Sequence, residues 1–103
     1  MQTGMEWSET AAGGGSGATA TRAANAKRTH IVTSISGHVD EDEIIQILDG
    51  STVVWESKID VSAEGFSFNF SGLTVVCSLG AAAKGYLSDS SADCQVNISG
   101  YSI

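Results

Sequence analysis

Apolar and polar residues alternate along most of the chain after residue 28, with the period of two that a half-buried β-strand requires. In the segment 28–37 the alternation places Ile31, Thr33 and Ile35 on one face, and in 65–70 three phenylalanines alternate with polar residues. Further strands are predicted over residues 43–48, 52–58, 73–79 and 94–103. Six short strands separated by turn residues predict an all-β fold, an antiparallel β-sandwich or jelly-roll-like barrel.

Two connections between these strands have distinctive turn residues. Asp49-Gly50 lies between two predicted strands and is typical of a two-residue type I′ hairpin, because glycine tolerates a positive φ. The segment 81–84 leaves two interpretations open: its alanines suit one helical turn, whereas the flanking Gly80 and Gly85 favour a loop or a strand edge.

Residues 1–27 show no apolar periodicity. Met5 and Trp7 are the bulky apolar residues beyond the first position, and the run 13–17 is a Gly/Ser sequence of the flexible-linker type. We therefore predict an extended N-terminal arm over residues 1–27 and a β-sandwich domain over residues 28–103. Because Trp7 has no local core to join, we expect it to insert into a pocket on another surface.

Charge is distributed unevenly between the two predicted parts. Residues 1–30 carry three basic and two acidic side chains, a net charge of +1, whereas residues 31–103 carry two lysines and ten carboxylates, a net charge of −8. Nucleic acid is not an expected partner of so acidic a domain, whereas the arm suits an acidic partner through Arg22, Lys27 and Arg28. No apolar run approaches the length of a membrane span and the start lacks a signal-peptide pattern, so neither a membrane partner nor export is expected.

The candidate ligand residues do not form a familiar metal site. Cys77 and Cys94 are expected to be buried thiols, although a disulfide between them stays open. The acidic run 40–43 lacks the glycine bend and ligand spacing of a calcium loop, so we predict a solvated connection without a metal. No cofactor is expected.

Catalytic chemistry has no evident location in the sequence. His30 and His38 are the only imidazoles, no nucleophile-elbow motif is present, and Cys77 lies in an apolar segment. The chain is therefore predicted not to be an enzyme, with His30 at a strand surface or interface. Trp55 is expected to pack in a core or subunit interface, with sugar stacking as the alternative.

Four segments together resemble small structural proteins of tailed bacteriophages. A K-R-x-H entry (27–30) precedes a V-T-x-I strand (32–35), a D-G-x-x-V hairpin follows (49–53), and G-Y (100–101) lies near the end of the chain. The resemblance covers residues 18–103.

This resemblance implies a virion component, a capsid decoration or cement protein that binds the major capsid protein on the outer surface of the shell. The expected contact residues are Trp7, Arg22, Lys27, Arg28 and His30, and the expected assembly is a homo-oligomer, a dimer or a trimer. The alternative is a module of a phage tail or fibre that binds a host-surface glycan.

Overall fold

The computed structural model describes residues 5–13, 17–60, 66–87 and 94–103, and only the backbone of Phe66. These residues form β-strands and no helix, so none of them forms a helix able to cross a membrane. The strands are β1 (Met5–Gly13), β2 (Ala18–Arg22), β3 (His30–Val39), β4 (Glu43–Asp49), β5 (Thr52–Ile59), β6 (Phe66–Phe70), β7 (Val75–Val76), β8 (Ala83–Leu87) and β9 (Cys94–Ser102).

The strands form two antiparallel sheets, which confirms the predicted all-β sandwich. Sheet I has the order β1-β9-β3-β6, with β7 also paired to β3, and sheet II has the order β2-β8-β4-β5. The pairing is nested along the chain: β1 pairs with β9, β2 with β8, β3 with β6 and β4 with β5. The finer expectation of a jelly-roll winding stays a prediction.

The hydrophobic core lies between the sheets and takes side chains from both. Its most deeply buried members include Val32, Ile35, Val96 and Ile98 of sheet I and Ile45, Ile47 and Leu87 of sheet II. At Gly85 of β8 an added Cβ would overlap Cγ2 of Ile98, so glycine lets the sheets approach closely there. At the β5/β6 side of the sandwich, the rings of Trp55 and Phe70 make an edge contact with centroids 5.1 Å apart.

Strand β3 departs from the predicted alternation because it contains a β-bulge. Its pairing with β9 shifts between Val32 and Ser34, which leaves Thr33 as an extra residue. Val32 and Ile35 consequently both face the core, each with no exposed surface. The prediction that Ile31, Thr33 and Ile35 share a face is wrong, since Ile31 lies outside the core cluster.

The predicted hairpin between β4 and β5 exists, with a different turn. Asp49 pairs with Thr52, so the two-residue loop is Gly50-Ser51 rather than Asp49-Gly50. Gly50 has a φ of 64° and Ser51 has no positive φ. A type I′ turn needs positive φ at both central residues, whereas glycine at the first position alone is the type II′ pattern.

The N-terminal segment is not an arm over its described residues. All nine residues of β1 pair with β9, and all five of β2 pair with β8. Ala18 and Ala20 belong to the core, and Trp7 packs there with 7% of its surface exposed. The predicted boundary at residue 28 therefore does not separate an arm from a domain, because both sheets include strands from residues 1–27.

The remaining predictions are met in part. Of the predicted strand 73–79 only Val75–Val76 forms β7, and the segment 81–84 leads into β8 rather than into a helical turn. Phe68 is buried and Phe70 packs against the core, whereas the side chain of Phe66 lies outside the described part of the chain. Cys77 and Cys94 are both buried, and both are free thiols.

Candidate functional site

A groove of about 430 Å³ opens at the end of the sandwich where β1 begins, β9 ends and the β2–β3 connection crosses between the sheets. We call it the Arg28 groove. Its polar lining consists of Glu9, Thr21, Arg22, Asn25, Arg28, His30 and Ser102. The strand pairing explains this convergence, because Met5 and His30 both pair with Ser102 and so bring the starts of β1 and β3 to the end of β9.

The floor of the groove is a series of three hydrogen bonds, two of them buried and one partly buried. The Trp7 indole Nε1–H donates to Ser102 Oγ at 2.9 Å, and Ser102 Oγ lies 2.6 Å from His30 Nδ1. His30 Nε2 lies 2.8 Å from the carbonyl oxygen of Ala23, which only accepts. The proton of a neutral His30 is therefore on Nε2, and Nδ1 accepts the Ser102 hydroxyl proton. Each donor in this series of hydrogen bonds therefore has an acceptor.

The Ser102–His30 pair has the distance of a nucleophile and its base, but its surroundings indicate a structural role. The Ser102 hydroxyl also accepts from Trp7, and Ser102 and His30 are only 1% and 2% exposed. The Trp7 ring packs edge-on to the imidazole, with centroids 5.8 Å apart. The network thus fixes the β2–β3 connection against β1 and β9, and it keeps the rim of the groove in one geometry.

Arg22 forms a wall of the groove and is already neutralised within the chain. Its Nη1 donates to Glu9 Oε2 at 3.1 Å, and its guanidinium carbon lies 5.6 Å from the centroid of the Trp7 ring. Because each partner of the ion pair is about one-third exposed, the pair orients the side chains more than it stabilises the fold.

Lys27 and Arg28 are what we call the rim: Arg28 lines the groove, Lys27 is exposed beside it, and the described residues neutralise neither charge. The Asn25 side chain accepts from Lys27 N–H at 3.0 Å, and the Asn25 carbonyl accepts from Arg28 N–H at 3.0 Å. The carbonyl of Arg28 in turn accepts from Gly80 N–H. The rim backbone is therefore held at three points, while neither cationic side chain has an ion-pair partner in the described part of the chain.

Three of the five predicted contact residues, Arg22, Arg28 and His30, line the groove, and the five have different roles. Arg22 and Arg28 line the groove, and Lys27 is exposed beside it. Trp7 and His30 are buried supports, so the expectation that Trp7 inserts into a partner is wrong for this structure: its pocket is in its own core. The sequence analysis did not identify Ser102 and Glu9. The alternation of β9 does place Ser102 on the inner face with Cys94, Val96 and Ile98, where a hydroxyl needs a partner.

The acidic run is only partly the solvated connection that was predicted. Glu41 and Asp42 are exposed between β3 and β4, whereas Glu43 is 2% exposed and begins β4. Asp40 Oδ1 is buried without a hydrogen-bond partner among the described residues. Within those same residues, no group of three or more His, Cys, Asp or Glu side chains is placed to hold a metal ion.

The chain was compared with protein families, with curated proteins and with solved structures. No protein-family model matches the chain, and neither a curated protein nor a solved structure is significantly similar to it.

Proposed function

We propose that the protein is a virion structural protein, a capsid decoration or cement protein that binds the major capsid protein on the outer surface of the shell. The observation that carries the proposal is the Arg28 groove. Arg28 in its lining and Lys27 beside it have no acidic partner among the described residues, on a chain whose net charge is −7. Since most of the surface repels acidic partners, the groove is where an acidic loop of another protein gains from charge complementarity.

The proposed attachment differs from the attachment through an N-terminal arm that was predicted from the sequence. Attachment through a long free arm is replaced by attachment through a rigid rim, because β1 and β2 belong to the sandwich. The Arg28 guanidinium has the planar fork that binds a carboxylate with two hydrogen bonds. Lys27 adds a second charge beside it, which chiefly assists the approach and orientation of the partner.

A decoration assay tests the proposal. Empty shells of the major capsid protein are incubated with Arg28→Glu or with Lys84→Glu, a control with the same change of charge on β8, outside the groove. We expect Arg28→Glu to lower the affinity at least about tenfold, because a carboxylate would face an acidic partner. The control should bind within about twofold of wild type. Equal affinities for all three proteins would contradict attachment through the groove.

The glycan-binding alternative depended on Trp55 as a stacking platform. Trp55 is only partly exposed, and it contacts the ring of Phe70 and the core cluster. A sugar-stacking tryptophan needs an open ring face, so this packing favours the core assignment of Trp55. No contact of Trp55 supports the glycan alternative over capsid decoration.

A further inference from the structure

The outward-facing side of sheet I is almost free of charge, and we call it the outer face. The chain has 12 acidic and 5 basic residues, yet among the described residues of this face only Glu6 carries a formal charge. The strand pairing in sheet I, together with the alternation of burial along β1 and β9, defines its members. They are Glu6, Ser8, Thr10, Ala12, Ile31, Ser34, Ser36, His38, Ser67, Asn69, Val76, Gln95, Asn97, Ser99, Tyr101 and Ile103.

One end of the outer face is apolar. Ile31 pairs with Tyr101 of β9 on one side and with Val76 of β7 on the other. Ile31 is only 5% exposed although it lies outside the core cluster, whereas Val76 is 57% and Ile103 is 51% exposed. These four residues form what we call the apolar patch. Exposed apolar side chains that adjoin one another are typical of a protein interaction site.

The rest of the outer face is polar, and its side chains bond to one another. Ser34 Oγ and Ser99 Oγ are 2.5 Å apart, and Thr10 Oγ1 donates to Asn97 Oδ1 at 2.8 Å. Asn97 Oδ1 also accepts from Gln95, and Asn97 Nδ2 lies 3.4 Å from Ser36 Oγ. Because these groups already have partners within the sheet, another surface can cover them without leaving unpaired polar atoms.

We propose that a second copy of this chain packs on the outer face, with the two apolar patches in contact with each other. Two copies that each carry a charge of −7 repel, so they associate most favourably through a surface without charge. A strongly charged partner would gain no ion pair there. Aromatic and aliphatic residues surrounded by uncharged polar groups match the composition of protein–protein interfaces.

The size of the outer face suits a modest dimer. Four strands about 4.8 Å apart and nine residues at about 3.4 Å each cover roughly 600 Å² per copy. The pair would bury about 1,200 Å², the lower limit for specific interfaces, which predicts a reversible dimer. The proposal does not depend on capsid attachment, because the Arg28 groove opens toward the inner side of β1 rather than on the outer face.

Sedimentation equilibrium of the full chain tests the proposal. We expect a reversible monomer–dimer equilibrium for the wild type, and at least about tenfold weaker association for Val76→Asp because two aspartates would be buried near each other. Val53→Asp is the matched control, since Val53 is 44% exposed and pairs with Leu48 in sheet II. It should dimerise like the wild type. Circular dichroism would establish that both variants keep their strands.

The salt dependence gives a second measurement. Added salt screens the repulsion between two copies of charge −7, so it should strengthen a dimer formed through the outer face. A dimer held by an ionic contact between the Arg28 groove of one copy and the acidic run of another would instead be weakened by added salt. A dimer that salt weakens would therefore overturn the proposal. A wild type that stays monomeric at sub-millimolar concentration also overturns it. If the monomeric wild type bound a neutral polysaccharide and the Tyr101→Ser variant did not, the outer face would be a glycan-binding site.

Discussion

Ser102 joins two buried groups that would otherwise lack partners at the floor of the groove. Its replacement by alanine leaves the Trp7 Nε1–H and His30 Nδ1 without their hydrogen bonds inside the sandwich. We expect Ser102→Ala to lower the free energy of unfolding by about 1–3 kcal/mol, the cost of leaving buried polar groups unsatisfied. Urea denaturation measures the change. Thr10→Ala, on an exposed hydrogen bond to Asn97, is the control and should cost less than about 1 kcal/mol.

The positions of several groove residues could be predicted from the sequence, but their roles could not. Arg22, Arg28 and His30 were identified from their position in a basic segment, and the structure places them together. Their roles were not predictable, because the partner of His30 is 72 residues away and that of Trp7 is 95 residues away. Single-strand patterns carry no information on such pairs. Only the register of β1 and β3 against β9 creates them.

Cys77 gives the protein a pH dependence that can be isolated by substitution. Burial, and secondarily the negative charge of Asp49, raises the pKa of the Cys77 thiol from 9.0 to about 11. The neutral thiol is thus favoured in the folded state. The corresponding contribution to stability is fully present below pH 9 and is lost as the pH rises toward 11.

Urea denaturation from pH 8 to pH 11 tests this dependence. We expect the stability of the wild type to fall more steeply across that window than the stability of Cys77→Ala, which lacks the titrating thiol. Tyrosines and lysines titrate in both proteins, so the difference between the two curves isolates Cys77. Parallel curves would show that the Cys77 pKa is the same in the folded and unfolded chain.

At the scale of elements, alternation predicted strands well where apolar side chains mark one face. β4, β5, β6 and β9 were predicted within one or two residues of their observed bounds. β1 and β2 were missed because Ala, Thr, Ser and Gly dominate them, so their inner faces show little contrast with their outer faces. β8 was missed for a related reason: its inner face contains Ala83 and Gly85, which are small because the opposite sheet lies close.

The bulge in β3 shows the limit of a period of two. One extra residue at Thr33 changes which face every later residue takes, and the sequence around it gives no glycine or proline as a signal. His30 and Val32 precede the bulge and Ile35 follows it, and all three side chains face inward. Ile31, which also precedes the bulge, lies on the outer face.

At the scale of the whole molecule, the nested pairing places the first and last described strands side by side in one sheet. β1 and β9 form neighbouring strands of sheet I although Glu6 and Tyr101, which pair, are 95 residues apart in sequence. Many short strands predict a sandwich, but they do not determine which strands are neighbours. The decisive pairings are non-local, and a domain of this kind must bring its ends together before the sheets are complete.

Deletion of residues 1–27 tests this integration. The deletion removes β1 and β2, and with them the core side chains Trp7, Ala18 and Ala20. It also exposes the backbone edges of β8 and β9, which now lack their ladder partners. Replacing a buried tryptophan alone costs about 3–5 kcal/mol, and the whole stability of a small domain is about 5–15 kcal/mol.

We therefore expect residues 28–103 alone to lose the cooperative thermal transition of the full chain and to show poor dispersion of amide proton shifts. A deletion of residues 1–4, which removes none of the described strands, is the control and should keep both properties. If residues 28–103 instead melted cooperatively with an unchanged β spectrum, β1 and β2 would be dispensable additions to a smaller domain. The attachment of that fragment to shells would then measure the contribution of residues 1–27 directly, since the fold would be constant in the comparison.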